Sequence, residues 1–227
     1  MPTKHFRREL ENIKKKILSL GTMVEERVHR TIQSIPTWDA YIAERIIKAD
    51  YEVDEMEVEI EEECLKILAL HQPVAADLRF LIAVIKINND LERIGDQVVN
   101  IAQRIKTISK HGHHHFVFDY SEMGDKAENM LKMSLDSLVN LDVDLAFEVC
   151  LLDDEVDVIK NLAYDQIKAA MKETPECVGY LINLLLISRH LERVADHATN
   201  IAEEVIYMIE GDIIRHDKGK PGDQSPG

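Results

Sequence analysis

"LERIGDQVVNIA" runs from Leu91 to Ala102, and "LERVADHATNIA" from Leu191 to Ala202. Seven of the twelve positions are identical, where unrelated stretches would share about one. A self-match of this quality marks an internal repeat, so the chain reads as two copies of one unit. Within each copy the apolar letters return every three or four residues, which is the period of a helix. Each copy also sets one acid four residues before another, Glu92 before Asp96 and Glu192 before Asp196.

The same period extends outward from both stretches. In the first copy Leu81, Ile85, Leu91, Ile94, Val98, Ile101 and Ile108 predict one long helix from about Val74. Upstream, Leu10, Ile13, Ile17, Leu20, Val24, Val28 and Ile35 predict a helix stopped by Pro36. Ile42, Ile46, Val53, Met56, Ile60, Cys64 and Ile67 predict a second, ending before His71-Gln72-Pro73 because proline restricts the residue before it. The second copy repeats the series around Ala127 to Leu141, Val149 to Ile167 and Leu181 to Val205. Thr174-Pro175 supplies an N-cap and first-turn pair for the last helix.

The predicted fold is therefore all-α, a tandem repeat of two antiparallel three-helix bundles built from six long helices. The first repeat occupies residues 1–110 and the second 120–212, with a connector at 111–119 containing Gly112 and His113-His114-His115. The Gly- and Pro-rich stretch 213–227 cannot bury apolar surface and is predicted to be a disordered tail.

Composition narrows the function classes. Hydrophobic residues make up 45% and aromatics only 5%, a helical rather than a sheet composition. A net charge of −15 with no Lys/Arg cluster excludes nucleic acid as the expected partner. No apolar run approaches the length of a membrane span and the N-terminus shows no signal segment, so no membrane insertion and a cytoplasmic location are expected. Cys64, Cys150 and Cys177 are odd in number and widely spaced, which predicts free thiols.

The acids carry the chemistry. Residues four apart share a helix face, and besides Glu92/Asp96 and Glu192/Asp196 there are upstream pairs at Asp50/Asp54 and Asp153/Asp157. In an antiparallel hairpin, residues that face one another lie equally far from the turn. Asp54 and Glu92, and likewise Asp50 and Asp96, are centred on Pro73. Asp157 and Glu192, and Asp153 and Asp196, are centred between Thr174 and Pro175. Four carboxylates are therefore expected to converge in each repeat, where like charges disfavour full ionisation unless protons or cations intervene. Oxygen donors without thiolates suit hard cations such as Mg²⁺, Mn²⁺, Ca²⁺ or iron. His197 beside Asp196 would admit zinc or iron, although Gln97 holds the matching place in the first copy.

With its doubled acidic motif in paired three-helix units, the chain resembles the PhoU family of phosphate-signalling regulators. The resemblance implies a negative regulator of the phosphate-starvation response, linking the phosphate ABC transporter to the sensor histidine kinase of a two-component system. It also implies multinuclear iron or zinc clusters, held in this sequence by Asp50, Asp54, Glu92 and Asp96 and by Asp153, Asp157, Glu192 and Asp196. Arg104 stands where the second copy has Glu204, which predicts unequal sites. The helical pattern is equally compatible with a monomer and a homodimer.

Two rivals have less in the sequence. A ferritin-like di-metal oxidase needs paired Glu-x-x-His motifs, and Glu26 to His29 has no matching partner. A histidine phosphotransfer module would use His190 or His197, where the first copy offers Asp90 and Gln97. No nucleophile, base and oxyanion donor can be assembled and no Gly-rich phosphate loop is present, so an adaptor rather than an enzyme is expected.

Overall fold

The computed structural model describes residues 4–110 and 116–211. The histidine run at 113–115 and the stretch 213–227 lie outside the described residues. The helices are α1 (Lys4–Ser34), α2 (Ala40–Ala49), α3 (Tyr51–His71), α4 (Ala76–Ile108), α5 (Ser121–Asn140), α6 (Val143–Glu173) and α7 (Val178–Glu210). No strand occurs among the described residues. The six-helix, twice-three arrangement is as the periodicity predicts, with α2 and α3 standing for one expected helix.

The duplication is visible in the helix ends. Asp39 caps α2 by accepting hydrogen bonds from the Tyr41 and Ile42 amides at 2.9 and 3.0 Å. Asp142 caps α6 in the same way, accepting from the Leu145 amide at 3.0 Å. Thr174 departs from expectation: its hydroxyl donates to the Ala170 carbonyl at 2.9 Å instead of capping, and Pro175–Cys177 form a single 3₁₀ turn before α7.

The break between α2 and α3 has an identifiable cause. The Arg27 guanidinium of α1 donates to the Ala49 carbonyl at 2.6 Å. The Val53 amide, which a continuous helix would pair with that carbonyl, bonds Asp50 O at 2.9 Å instead. Asp50 itself remains helical at φ −56°, ψ −42°, so the effect is a local tightening. The equivalent of Arg27 in the second repeat is Met130, which cannot compete for a carbonyl, and α6 runs unbroken.

In section, α4 packs on α7 and α1 on α5, while α2–α3 touches only α1 and α4, and α6 touches only α5, α7 and the 3₁₀ turn before α7. The acid-bearing second helix of each repeat is thus an outer layer, with both repeats sharing one continuous apolar core. An approximate two-fold relation governs the contact: Gly21 lets α1 approach Leu135, and Gly124 lets α5 approach Ile32. Within the expected connector, Phe118 is buried and the Tyr180 hydroxyl donates to Phe116 O at 3.0 Å.

Candidate functional site

Each outer helix meets the last helix of its own repeat along a seam of carboxylates. In the first repeat α2–α3 contributes Asp50 and Asp54 and α4 contributes Glu92 and Asp96. Asp50 is pushed above the ordinary aspartate range by burial first, then by Asp54 and Asp96, with Arg27 opposing. Glu92 is pushed up by burial and by Asp96, Glu57 and Asp54, against Arg93. The mirrored acids therefore sense one another across the hairpin, as the register about Pro73 requires. Arg93 pairs with both acids of α4, at 3.4 Å from Glu92 and 3.5 Å from Asp96, but half-exposed on the rim. The Glu92 Oε2 atom is enclosed and accepts no hydrogen bond.

Glu57 belongs to this cluster and escaped the sequence reading. It stands one helical turn beyond Asp54, and burial, Glu61 and Asp54 raise its pKa. Its main chain accepts a 2.8 Å hydrogen bond from the buried Asn88 amide of α4, which ties the outer helix to the inner one. The spacing Asp54 to Glu57 was the available signal, hidden in a run where nine of the fourteen residues from Asp50 to Glu63 are acidic.

The second cluster draws together Asp153 and Asp157 of α6 with Glu192 and Asp196 of α7. Asp196 is raised to about 6 by burial, Glu192, Asp153 and Asp157, with His197 opposing. The Thr199 hydroxyl reaches Asp153 at 3.5 Å. Here a lysine enters the seam: Lys160 donates to Asp157 at 2.8 Å and to Glu192 at 2.9 Å, its side chain 29% exposed. Lys160 occupies the position that Glu57 holds in the first repeat.

The two seams are thus unequal, though not at Arg104 and Glu204. Those residues lie between the repeats, Arg104 donating to Asn183 at 3.4 Å and the buried Glu204 accepting from Lys86 at 3.1 Å. Among the described residues, no group of three or more His, Cys, Asp or Glu side chains is gathered tightly enough to enclose a metal ion. Carboxylates facing one another across a seam repel, which opposes the tight four-acid convergence expected from the sequence. Donor chemistry nevertheless suits a hard cation in the first seam, where the acids are all oxygen donors and Glu92 Oε2, 3.4 Å from Arg93 Nε, accepts no hydrogen bond.

His190 and His197 serve the inter-repeat contact rather than the seams. His197 Nδ1 lies 2.8 Å from Asp90 Oδ1, with side chains 14% and 13% exposed. His190 Nδ1 lies 2.9 Å from Gln97 Oε1. The two pairs are related by the same approximate two-fold, α4 running against α7. Burial and then Arg104, Arg193 and Arg189 push His190 down to about 4, so it is neutral near pH 7. Neither imidazole stands out in solvent as a phosphate carrier would. His29 of the lone Glu-x-x-His motif is engaged with Glu128 of α5 at 2.7 Å. The three cysteines are free thiols, and no helix of the described residues is long and apolar enough to cross a membrane.

Comparison with known proteins agrees with this architecture. The profile of the PhoU domain matches twice, over residues 17–105 and 120–205, one match in each repeat. The chain is 37% identical to the "Phosphate-specific transport system accessory protein PhoU homolog" of Clostridium acetobutylicum, over 93% of this chain and 97% of that one. It is 31% identical to the "Phosphate-specific transport system accessory protein PhoU" of Escherichia coli, over 93% and 88%. The crystal structure of PhoU from Pseudomonas aeruginosa superposes with a TM-score of 0.87 at 35% identity, covering 91% of this chain and all 100% of that one. The phosphate transport system regulatory protein PhoU of Streptococcus pneumoniae superposes with a TM-score of 0.83 at 28% identity, covering 92% and 98%. With a match in each repeat and nearly the full length in common with these relatives, the chain belongs to the PhoU domain family.

Proposed function

We propose that this protein is an accessory regulator of phosphate-specific transport that works by docking rather than by catalysis, holding the starvation response off when phosphate is plentiful. The observation that carries the reading is the full-length likeness, both repeats included, to proteins named for that accessory role. The architecture suits it. Two outer acidic helices stand on a four-helix centre with a shared core, offering two separate charged faces. Its partners are the phosphate ABC transporter, through the ATPase component, and the sensor histidine kinase.

The acidic seams serve as cation sites in this reading. Asp50, Asp54, Glu92 and Asp96 would hold a metal ion in the first repeat, and Asp153, Asp157, Glu192 and Asp196 supply the homologous set in the second. A bound cation supplies positive charge, which offsets carboxylate repulsion and fixes the outer helix to the inner one. Iron, zinc, manganese and magnesium are the candidate ions, and the oxygen-only donor set of the first seam favours the harder ones.

Deletion of the coding sequence in the source organism tests the regulatory role. Phosphate-starvation genes should be expressed in phosphate-rich medium and be silenced again by the intact protein supplied in trans. Normal repression in the deletion strain would overturn the proposal. Crosslinking from the outer helices, α3 and α6, should capture the transporter ATPase and the kinase; capture of neither would remove the linking role.

A further inference from the structure

The outer helix of the second repeat, α6, carries apolar side chains on two opposite faces. Val149, Val156, Ala163 and Ile167 are buried on the side that packs on α5 and α7, as the inner stripe of an amphipathic helix should be. At about 100° per residue, Phe147, Leu151, Val158 and Leu162 fall within about 60° of arc on the other side. They are 40%, 76%, 68% and 51% exposed. The row is about 22 Å long, and acids border it, with Asp144, Glu148, Asp154 and Asp165 all standing in solvent. Glu155 lies there too, tied to Lys126 of α5 at 2.6 Å. The lysines of α6 lie elsewhere, Lys160 turned into the seam and Lys168 and Lys172 in the last two turns. The homologous positions of the first repeat are Glu44, Lys48, Glu55 and Glu59, all charged, so the apolar row belongs to one repeat and not to the duplicated unit. Along its length α3 exposes Tyr51, Val58 and Leu65 singly, about 10 Å apart, and Leu70 near its end.

We propose that the outer face of α6 is a docking surface for a partner protein that presents an amphipathic helix, apolar along one side and bearing Lys or Arg beside that stripe. The inference deepens the docking reading of the outer helices and rests on it. A lone exposed apolar residue is ordinary, but a row of four at helical spacing is the kind of anchor on which a second helix lays its own apolar side. The bordering acids set the sign of the partner. Covering the row brings the partner's flanking residues beside Asp144, Glu148, Asp154 and Asp165, where cations are attracted and anions repelled. A second copy of this chain, set row against row about a two-fold, would oppose these acids with the same acids. Two chains of net charge −15 also repel at longer range. An anionic membrane surface is disfavoured by the same charges. With charged residues at the equivalent places of α2–α3, the first repeat offers no such seat, and the docking is confined to the second.

The probe is a fluorescein-labelled synthetic peptide of about 20 residues, stapled as a helix, with leucines along one side and lysines beside them. Its binding to the full chain is read by fluorescence anisotropy. Leu151→Ser with Val158→Ser should weaken binding by about tenfold or more, and Val58→Ser with Leu65→Ser on α3 should leave it within about twofold. Glu148→Gln with Asp154→Asn and Asp165→Asn should weaken it by about threefold or more at low salt and flatten its salt dependence. The same peptide with glutamates in place of its lysines should bind about tenfold more weakly. Every substituted residue is exposed, so melting temperatures should match wild type and report a folded chain. Equal binding by wild type and the Leu151→Ser, Val158→Ser variant, or of the lysine and glutamate peptides, would overturn the assignment. So would self-association of wild type in sedimentation equilibrium, or its binding to phosphatidylcholine vesicles, that this variant loses, because the occupant would then be a second copy or a lipid surface. Supplied in trans to the deletion strain, the same variant should fail to silence the phosphate-starvation genes. Full silencing would overturn the role of this face and leave the accessory function standing. A deletion without effect would remove the regulatory reading, and the peptide measurement would still decide the docking face.

Discussion

Asp196→Asn should stabilise the metal-free protein at mildly alkaline pH and do nothing in acid. Asp196 sits among Glu192, Asp153 and Asp157, and burial with these three charges raises it from 3.8 to about 6. Its folded-state pKa is above its unfolded one, so the folded protein binds more protons between those values and stability falls as pH rises through that window. The full shift corresponds to roughly 3 kcal/mol. Asp196 is nevertheless solvent-exposed, and screening there leaves about 1 kcal/mol or less as the expected cost of its charge. Asparagine keeps the shape and removes the charge. Urea unfolding with chelator present should therefore show the variant more stable than wild type by about 1 kcal/mol near pH 8, with the gap closing as pH falls below about 4. A variant equal to or weaker than wild type near pH 8 would refute the account of the seam as a strained set of like charges. A constant gain at every pH would refute it too, because a helix-propensity effect would have no pH dependence.

Other consequences lie in the contacts between the repeats. A Cβ on Gly124 would stand 2.7 Å from Ile32 Cγ2, a stiff β-branched methyl, whereas on Gly21 it would meet the mobile Leu135 Cδ2 at 2.8 Å. Alanine gains ~1 kcal/mol of helix propensity at both, so Gly124→Ala should be net destabilising by about 1 kcal/mol once overpacking is included and Gly21→Ala close to neutral; urea midpoints read both, and a stabilised Gly124→Ala would contradict the close packing. Asp90→Ala removes the acceptor shared by His197 at 2.8 Å and Asn200 at 3.1 Å, and should cost about 1–3 kcal/mol in the same measurement, a neutral result counting against the interface pairing. Burial pushes the Cys64 thiol up to about 12 and Cys150 to about 11, with Cys64 fully enclosed. Aromatic disulfide reagents at neutral pH should leave Cys64 unlabelled until the chain is unfolded, and rapid labelling in the native state would contradict the packing around it.

Helix count and the turns at which each hairpin reverses were legible because they follow from periodicity and from the breaks at Pro73 and Thr174-Pro175. The buried positions Val53 and Val156, or Leu91 and Leu191, are apolar in both copies because the core admits little else. What was not legible depends on partners far along the chain. Arg27 interrupts a helix 22 residues away by taking one carbonyl, and nothing local to Ala49 announces it. Lys160 lies one turn from Asp157 on a helix surface, where an ordinary surface ion pair would have the same spacing; only its second contact, to Glu192 on another helix, gives it a place in the seam. Phe116 and Phe118 lack helical period altogether and pack from a segment outside any helix.

The two histidines needed one further step, which shows how duplication and divergence combine. A two-fold packing of identical repeats sets the Asp90-type position against the Gln97-type position on both sides of the contact. Had both copies kept the first sequence, each contact would pair aspartate with glutamine; had both kept the second, each would face histidine with histidine. Divergence gives His197 against Asp90 at 2.8 Å and His190 against Gln97 at 2.9 Å, with Asn200 adding a bond to Asp90. Those combinations exist only between unlike copies, so they select the pairing of one repeat with the other over self-pairing of either. The seams diverged under a different constraint. Because α2–α3 and α6 touch only their own repeats, an exchange such as Glu57 for Lys160 alters the charge of one outer face and leaves the central packing as it was.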